Sequence, residues 1–219
     1  MKMFQKTAVV LCFAALGSAA VVRGQESMPD FGPDGLAGLS AKQRTELARG
    51  GIVLPEGAVK TTRGSSLIEA AFIIDRPPGE VWRLLSRTEL QTSYVPEVRS
   101  ARIVWEAGEQ NGLELTVRVM GRTVVYRTIQ DFDRPRLYFH WVLDPEFRSD
   151  LKELAGFWRF YDHDDGRTLA RYGSVVKPRF PVPGFIRVAI AKGHVRSDLE
   201  SVRKYVESGG TWRNPKSHD

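Results

Sequence analysis

Phe180-Pro-Val-Pro-Gly-Phe-Ile-Arg-Val-Ala-Ile-Ala-Lys-Gly-His-Val-Arg-Ser-Asp-Leu-Glu-Ser-Val-Arg-Lys-Tyr-Val-Glu207 decides the fold. Pro181 and Pro183 punctuate its start, and Ser208, Gly209 and Gly210 its stop. Between them Phe185, Val188, Lys192, Val195, Leu199, Val202 and Val206 recur at steps of three and four, one helical stripe that is apolar but for Lys192. A helix from Gly184 to Ser208 would run roughly 37 Å at about 1.5 Å per residue. It is the longest regular element in the sequence, and nearly everything before it reads as strand. Such a stripe needs a sheet to cover it. The expected fold is therefore α+β, a seven-stranded antiparallel sheet curved around a long C-terminal helix.

Six of the strands are expected at 98–106, 111–120, 122–132, 136–143, 151–162 and 166–177. Each intervening turn carries the Gly, Pro, Asn or Asp chemistry of hairpins, as in Met120-Gly121 and Asp164-Asp-Gly166. Alternation assigns 101/103/105, 113/115/117/119 and 139/141/143 to the buried face. The run Val124-Val-Tyr126 leaves its own strand ambiguous. An opening strand covers Leu67 to Ile74 and is stopped by Arg76-Pro-Pro78. Two short helices follow it. Val81, Trp82, Leu84 and Leu85 line one face of the first, and the second spans about Thr88 to Thr92.

This order resembles the helix-grip fold of the START-related superfamily, also called SRPBCC. That group includes lipid-transfer domains, birch-pollen-type allergens, coenzyme Q-binding proteins and bacterial polyketide cyclases. The resemblance rests on Ile73-Ile-Asp-Arg-Pro-Pro-Gly-Glu-Val-Trp82, Tyr94-Val-Pro-Glu-Val98 and Lys177-Pro-Arg-Phe-Pro-Val-Pro183. It covers residues 65–208. It implies a ligand cavity between sheet and helix and specifies no chemistry.

Residues 1–24 read as a signal peptide: Lys2 and Lys6 precede an uncharged run from Thr7 to Val22, with small residues at Ser18, Ala19, Ala20 and Gly24. The alternative is an uncleaved N-terminal anchor. Periplasmic or secreted localisation is the expectation. Without Lys2, Lys6 and Arg23 the formal charge falls from +6 to +3. That balance gives no dedicated basic face for nucleic acid. Cys12, the single cysteine, lies in the leader, so the mature chain would hold no disulfide and no thiolate site. Residues 25–64 form an extension outside the family pattern. Within it, Ser40-Ala-Lys-Gln43 is a capping box for a short helix ending near Arg49. Residues 209–219 read as a flexible tail.

The expected cavity lining comes from the inward strand positions. Trp105, Leu115, Val117 and Tyr126 lie in the first half of the sheet, and Phe139, Trp141, Trp158, Phe160 and Tyr172 in the second. Phe185 and Val188 contribute from the helix. Gly156 is expected to leave room beside Trp158. Phe147 and Phe180, on loops at the end where the helix begins, are the expected entrance. They would also be the residues touching a membrane surface in passing. His140, His163, His194 and His218 show no metal-ligand spacing, and no cofactor or metal is expected. Glu114, Glu153, Arg118, Arg159 and Arg171 are expected to form ion pairs on the outer face.

Two functions fit this pattern. One is an exported protein that binds or transports a hydrophobic small molecule: a lipid, sterol, isoprenoid quinone or aromatic polyketide. The other is a cyclase or aromatase using the same cavity, which needs a polar group aimed inward; Tyr126 and Tyr172 are the candidates.

Overall fold

The computed structural model describes residues 29–55, 60–62, 65–119, 121–180 and 184–217, with the side chains of 60–62, 65–67 and 184–194 outside the description. The proposed leader therefore lies outside the described residues. The described residues form three α-helices and eight strands. After α1 (Ala41–Ala48) come β1 (Lys60–Thr62), β2 (Ser65–Ile74) and α2 (Pro78–Leu85). A 3-10 helix over Thr88–Ser93 leads to β3 (Val98–Ala107), β4 (Gln110–Val119) and β5 (Arg122–Asp133). The chain ends with β6 (Tyr138–Leu143), β7 (Leu151–His163), β8 (Arg167–Pro178) and α3 (Gly184–Glu207).

The strands form one antiparallel sheet in the order β1-β2-β8-β7-β6-β5-β4-β3. From β3 to β8 it is a hairpin meander, and β8 then pairs with β2. The seven long strands and the C-terminal helix agree with the sequence reading. The three-residue edge strand β1 is an addition. Strand β6 starts two residues later than expected because Leu137 sits at φ 49° and still belongs to the turn. Helix α3 stops where Gly209 adopts φ 70°, a conformation that costs glycine little.

Two contacts tie the end of α3 to the turn after β2, and a third ties that turn to β8. The Asp75 amide donates to Glu207 Oε1 at 3.1 Å, the Arg76 guanidinium donates to the Glu207 carbonyl, and Thr168 Oγ1 donates to the Arg76 carbonyl at 2.6 Å. The inner face of the sheet carries Ala70, Phe72, Ile74, Phe139, Trp158 and Phe160. Val81, Trp82, Leu84 and Leu85 of α2 and Leu199, Val202, Tyr205 and Val206 of α3 cover it. Tyr94 and Tyr205 stack at 4.4 Å between the 3-10 helix and α3.

The N-terminal extension covers the outer face. Phe31, Leu39, Leu47 and Val53 pack on Ala71, Ile73, Tyr161 and Leu169. This explains why Ala70-Ala-Phe-Ile-Ile74 is continuously apolar instead of alternating: both of its faces are buried. Helix α1 has both halves of its capping box, Ser40 Oγ accepting from the Gln43 amide and Gln43 Oε1 from the Ser40 amide. Ile52-Val-Leu54 contributes only a bridge, Val53 to Ala71. The segment after α3, expected to be a flexible tail, is held instead. Asn214 donates from its amide to the Ser93 carbonyl and from Nδ2 to Ser201 Oγ, each at 3.0 Å, and Trp212 packs on the inner core.

Arg171 departs from the expected outer ion pairs. It points outward as expected but is 2% exposed, with its guanidinium 3.8 Å from the Phe31 ring and donating to the Gly35 carbonyl at 3.2 Å. Glu114 behaves as expected, bridging Arg102 at 2.9 Å and Arg127 at 2.8 Å on the outer face.

Candidate functional site

Between the sheet and α3 lies a cavity of about 250 Å³. Strands β4 to β8 supply its floor, because their odd or even positions all turn the same way. Leu113 and Leu115 come from β4, Tyr126, Thr128 and Gln130 from β5, and Phe139 and Trp141 from β6. Leu154 and Trp158 of β7 and Tyr172, Ser174 and Val176 of β8 continue it. Leu85 of α2 and Thr88, Gln91, Tyr94 and Val95 close one side, and Asp198, Leu199 and Val202 of α3 form the roof.

Six of the residues read from the sequence as lining are brought together here: Leu115, Tyr126, Phe139, Trp141, Trp158 and Tyr172. Val117 and Phe160 share the inner face but pack beyond the cavity, Val117 with Val98 and Val124, Phe160 with Phe139 and Trp158. Phe185 and Val188 fall in the part of α3 whose side chains are outside the description.

Trp105 is a correction. A β-bulge between Ile103 and Trp105 shifts the register, so Ile103 pairs with Leu113 while Trp105 pairs with Gly112. The extra residue reverses the alternation. Leu113 faces inward, so Gly112 faces outward, and the Trp105 indole lies where a Cβ on Gly112 would stand. Trp105 is thus on the outer face. Of the two expected entrance residues, Phe147 is corrected. Phe147 lies against the outer-facing Arg127, 4.4 Å from its guanidinium carbon. Its loop stays on the sheet because the amides of Asp144 and Asp150 donate to the carbonyls of Arg127 and Val125 at 2.8 and 3.0 Å. Phe180 packs on the cluster of Val117 and Leu151 with Arg122 over its ring at 5.4 Å. Neither phenylalanine is among the described residues that line the cavity. The room beside Trp158 is not free, because the Trp141 indole occupies the space above Gly156.

Polar groups cluster at two places in this apolar chamber. At one, Thr88 Oγ1 donates to Gln130 Oε1 at 2.6 Å and Gln91 Nε2 to the Thr88 carbonyl at 3.0 Å. At the other, the Asp198 carboxyl lies close enough to act electrostatically on Tyr172, whose hydroxyl bonds with Ser174 and lies near Tyr126. Burial, and then the negative charge of Glu97, raise the Asp198 carboxyl to about 7. Burial raises the Tyr172 phenol to about 12 and the Tyr126 phenol further. A carboxyl that titrates near neutrality can accept or give a proton. Among the described residues no group of His, Cys, Asp and Glu could hold a metal ion, and no helix is long and apolar enough to cross a membrane.

Sequence reasoning missed Asp198. The signal was present: Asp198 lies three residues after Val195 and four before Val202, on the edge of the stripe itself.

The model of a family described as polyketide cyclase / dehydrase and lipid transport matches residues 67–207. No curated protein matches the sequence. Solved structures share the fold. One is TTHA0849 from Thermus thermophilus, 22% identical with TM-score 0.56, covering 66% of this chain and 96% of that one. Another is the Zhui aromatase/cyclase from Streptomyces sp. R1128, 18% identical with TM-score 0.57, covering 65% and 94%. A START superfamily protein from Mycobacterium smegmatis is 16% identical with TM-score 0.55, covering 65% and 97%.

Proposed function

Since the chain belongs to the polyketide cyclase / dehydrase and lipid transport family, we propose that it binds a compact hydrophobic molecule between sheet and α3. The observation that carries this reading is the cavity of about 250 Å³ walled by Trp141, Trp158, Phe139 and Leu115. Small-molecule sites have this character: apolar walls, a few placed polar groups, and commonly about 300–1,000 Å³. The volume lies just below that range. It suits a ring system better than a two-chain lipid or a long isoprenoid tail. Export belongs to the same proposal, and the intact mass of protein from the cell envelope tests it.

The test is a titration with the neutral probe N-phenyl-1-naphthylamine. Leu115→Trp fills the cavity, while Val142→Trp places the same indole on the exposed face. Probe affinity should fall by at least about tenfold in the first variant and stay unchanged in the second. Equal affinity in both would overturn the reading.

Asp198 favours a second reading, a cyclase or aromatase-type enzyme. Its carboxyl, raised to about 7 within the cavity and beside Tyr172, is a group that could move a proton on a bound substrate. Turnover of a candidate substrate that disappears in Asp198→Asn, with binding retained, would support it.

A further inference from the structure

Of the described residues that line the cavity, Asp198 is the one whose side chain carries a full charge in water at neutral pH. The rest are aliphatic, aromatic, hydroxyl or amide side chains. Thr88, Gln91 and Gln130 bond to one another, and what they still offer a ligand is neutral. Tyr172 has Ser174 as its neighbour. Asp198 remains as the group through which a ligand can gain most.

We propose that Asp198 selects the ligand: the cavity takes a compact ring compound bearing a hydrogen-bond donor, a hydroxyl or an amine, and turns away carboxylates. This rests on the binding reading above. The physical reason is the poor solvation of the chamber. A carboxyl taken from water loses hydrogen bonds that the apolar walls cannot replace. A donor on the ligand restores them, and a cationic donor does so with a charge-assisted bond. Where Asp198 is ionised, a ligand carboxylate would instead set a second negative charge beside the first, with Glu97 adding a third nearby. Like charges in a partly dry site repel far more than in bulk water. The consequence is discrimination against free fatty acids and aromatic acids, made by electrostatics and independent of shape. Specificity of this kind is a difference between affinities and depends on the group that repels the wrong ligand.

The experiment uses three probes sharing one ring: 2-naphthylmethanol, 2-naphthylmethylamine and 2-naphthoate. Each is titrated calorimetrically at about pH 8.5, where Asp198 is ionised, into the full chain, into Asp198→Asn and into Leu115→Trp. The alcohol and amine should bind wild type at least about tenfold more tightly than the acid. In Asp198→Asn the acid should rise to within about threefold of the alcohol, and the amine should lose its advantage. Leu115→Trp should abolish all three, which places the binding in this cavity. If 2-naphthoate binds wild type as tightly as the alcohol, or if Asp198→Asn leaves the ranking unchanged, Asp198 is not the selector and the binding reading stands without it. If none of the three binds wild type, both readings fall. Asparagine is close in shape to a protonated aspartate, so the variant keeps the fold. Thermal melting of each variant checks that.

Discussion

Trp141 lies over Gly156, its register partner on β7, so closely that a Cβ at 156 would run into the indole. The glycine is there for the tryptophan, and the tryptophan forms part of the cavity wall. Gly156→Ala should push the indole into the cavity. Overpacking of this kind costs about 1–3 kcal/mol. Urea denaturation should show that loss, and N-phenyl-1-naphthylamine should bind more weakly than to wild type. An unchanged midpoint with unchanged binding would mean that Trp141 has somewhere else to go.

Trp158 separates cavity wall from solid core. Its ring stands 4.7 Å from Tyr172 and 5.8 Å from Phe160, yet one side of it borders the cavity. Tryptophan to alanine in a filled core costs about 3–5 kcal/mol. Trp158→Ala should fall at or below the low end of that range while weakening probe binding by at least about tenfold. A full core penalty with normal binding would place Trp158 in the core alone.

Asp198 makes stability depend on pH with a definite sign. Its carboxyl titrates at about 7 in the folded chain, against 3.8 for an ordinary aspartate, because burial and Glu97 disfavour the charge. Between those values the folded chain holds a proton that the unfolded chain has lost. Stability therefore falls as pH rises through this window, and the penalty is complete above it. Asp198→Asn removes the penalty. It should match wild type near pH 4 and exceed it above neutrality, by about 1–2 kcal/mol once solvent screening of this part-exposed carboxyl is allowed for. Denaturation midpoints across that pH range check this, with Glu97→Gln as the control for the negative charge that acts on Asp198.

The outer layer makes a separate prediction. Phe31 covers the buried Arg171 guanidinium and packs 5.7 Å from Phe157. Phe31→Ala should cost about 3–5 kcal/mol, part of it from leaving a buried cation without its ring. In a double-mutant cycle with Arg171→Met, the coupling should reach at least about 0.5 kcal/mol. Strict additivity would mean that the cation and the ring do not interact.

Local chemistry makes the fold legible. The turn residues and the α3 stripe define strands and helix nearly to the residue, and Ser40-Ala-Lys-Gln43 defines the α1 cap. What escapes is long-range or irregular. A bulge has no fixed sequence mark, so plain alternation puts Trp105 on the wrong face. Phe147 looks like exposed loop apolarity, but Arg127, twenty residues earlier in the chain, lies against its ring. The extension gives no sign of its docking surface, although the double-sided Ala70–Ile74 run calls for a cover. Asp198 is readable from spacing alone, yet an acid at the edge of an apolar stripe reads as facing solvent until the sheet opposite it is known.

Native mass spectrometry of the full chain isolated from its own cells tests the central claim most directly. The account predicts one bound small molecule per chain, removed by solvent extraction, lost in Leu115→Trp and retained in Val142→Trp. A bare mass for wild type in every preparation, indistinguishable from that of Leu115→Trp after allowing for the substitution, would contradict it.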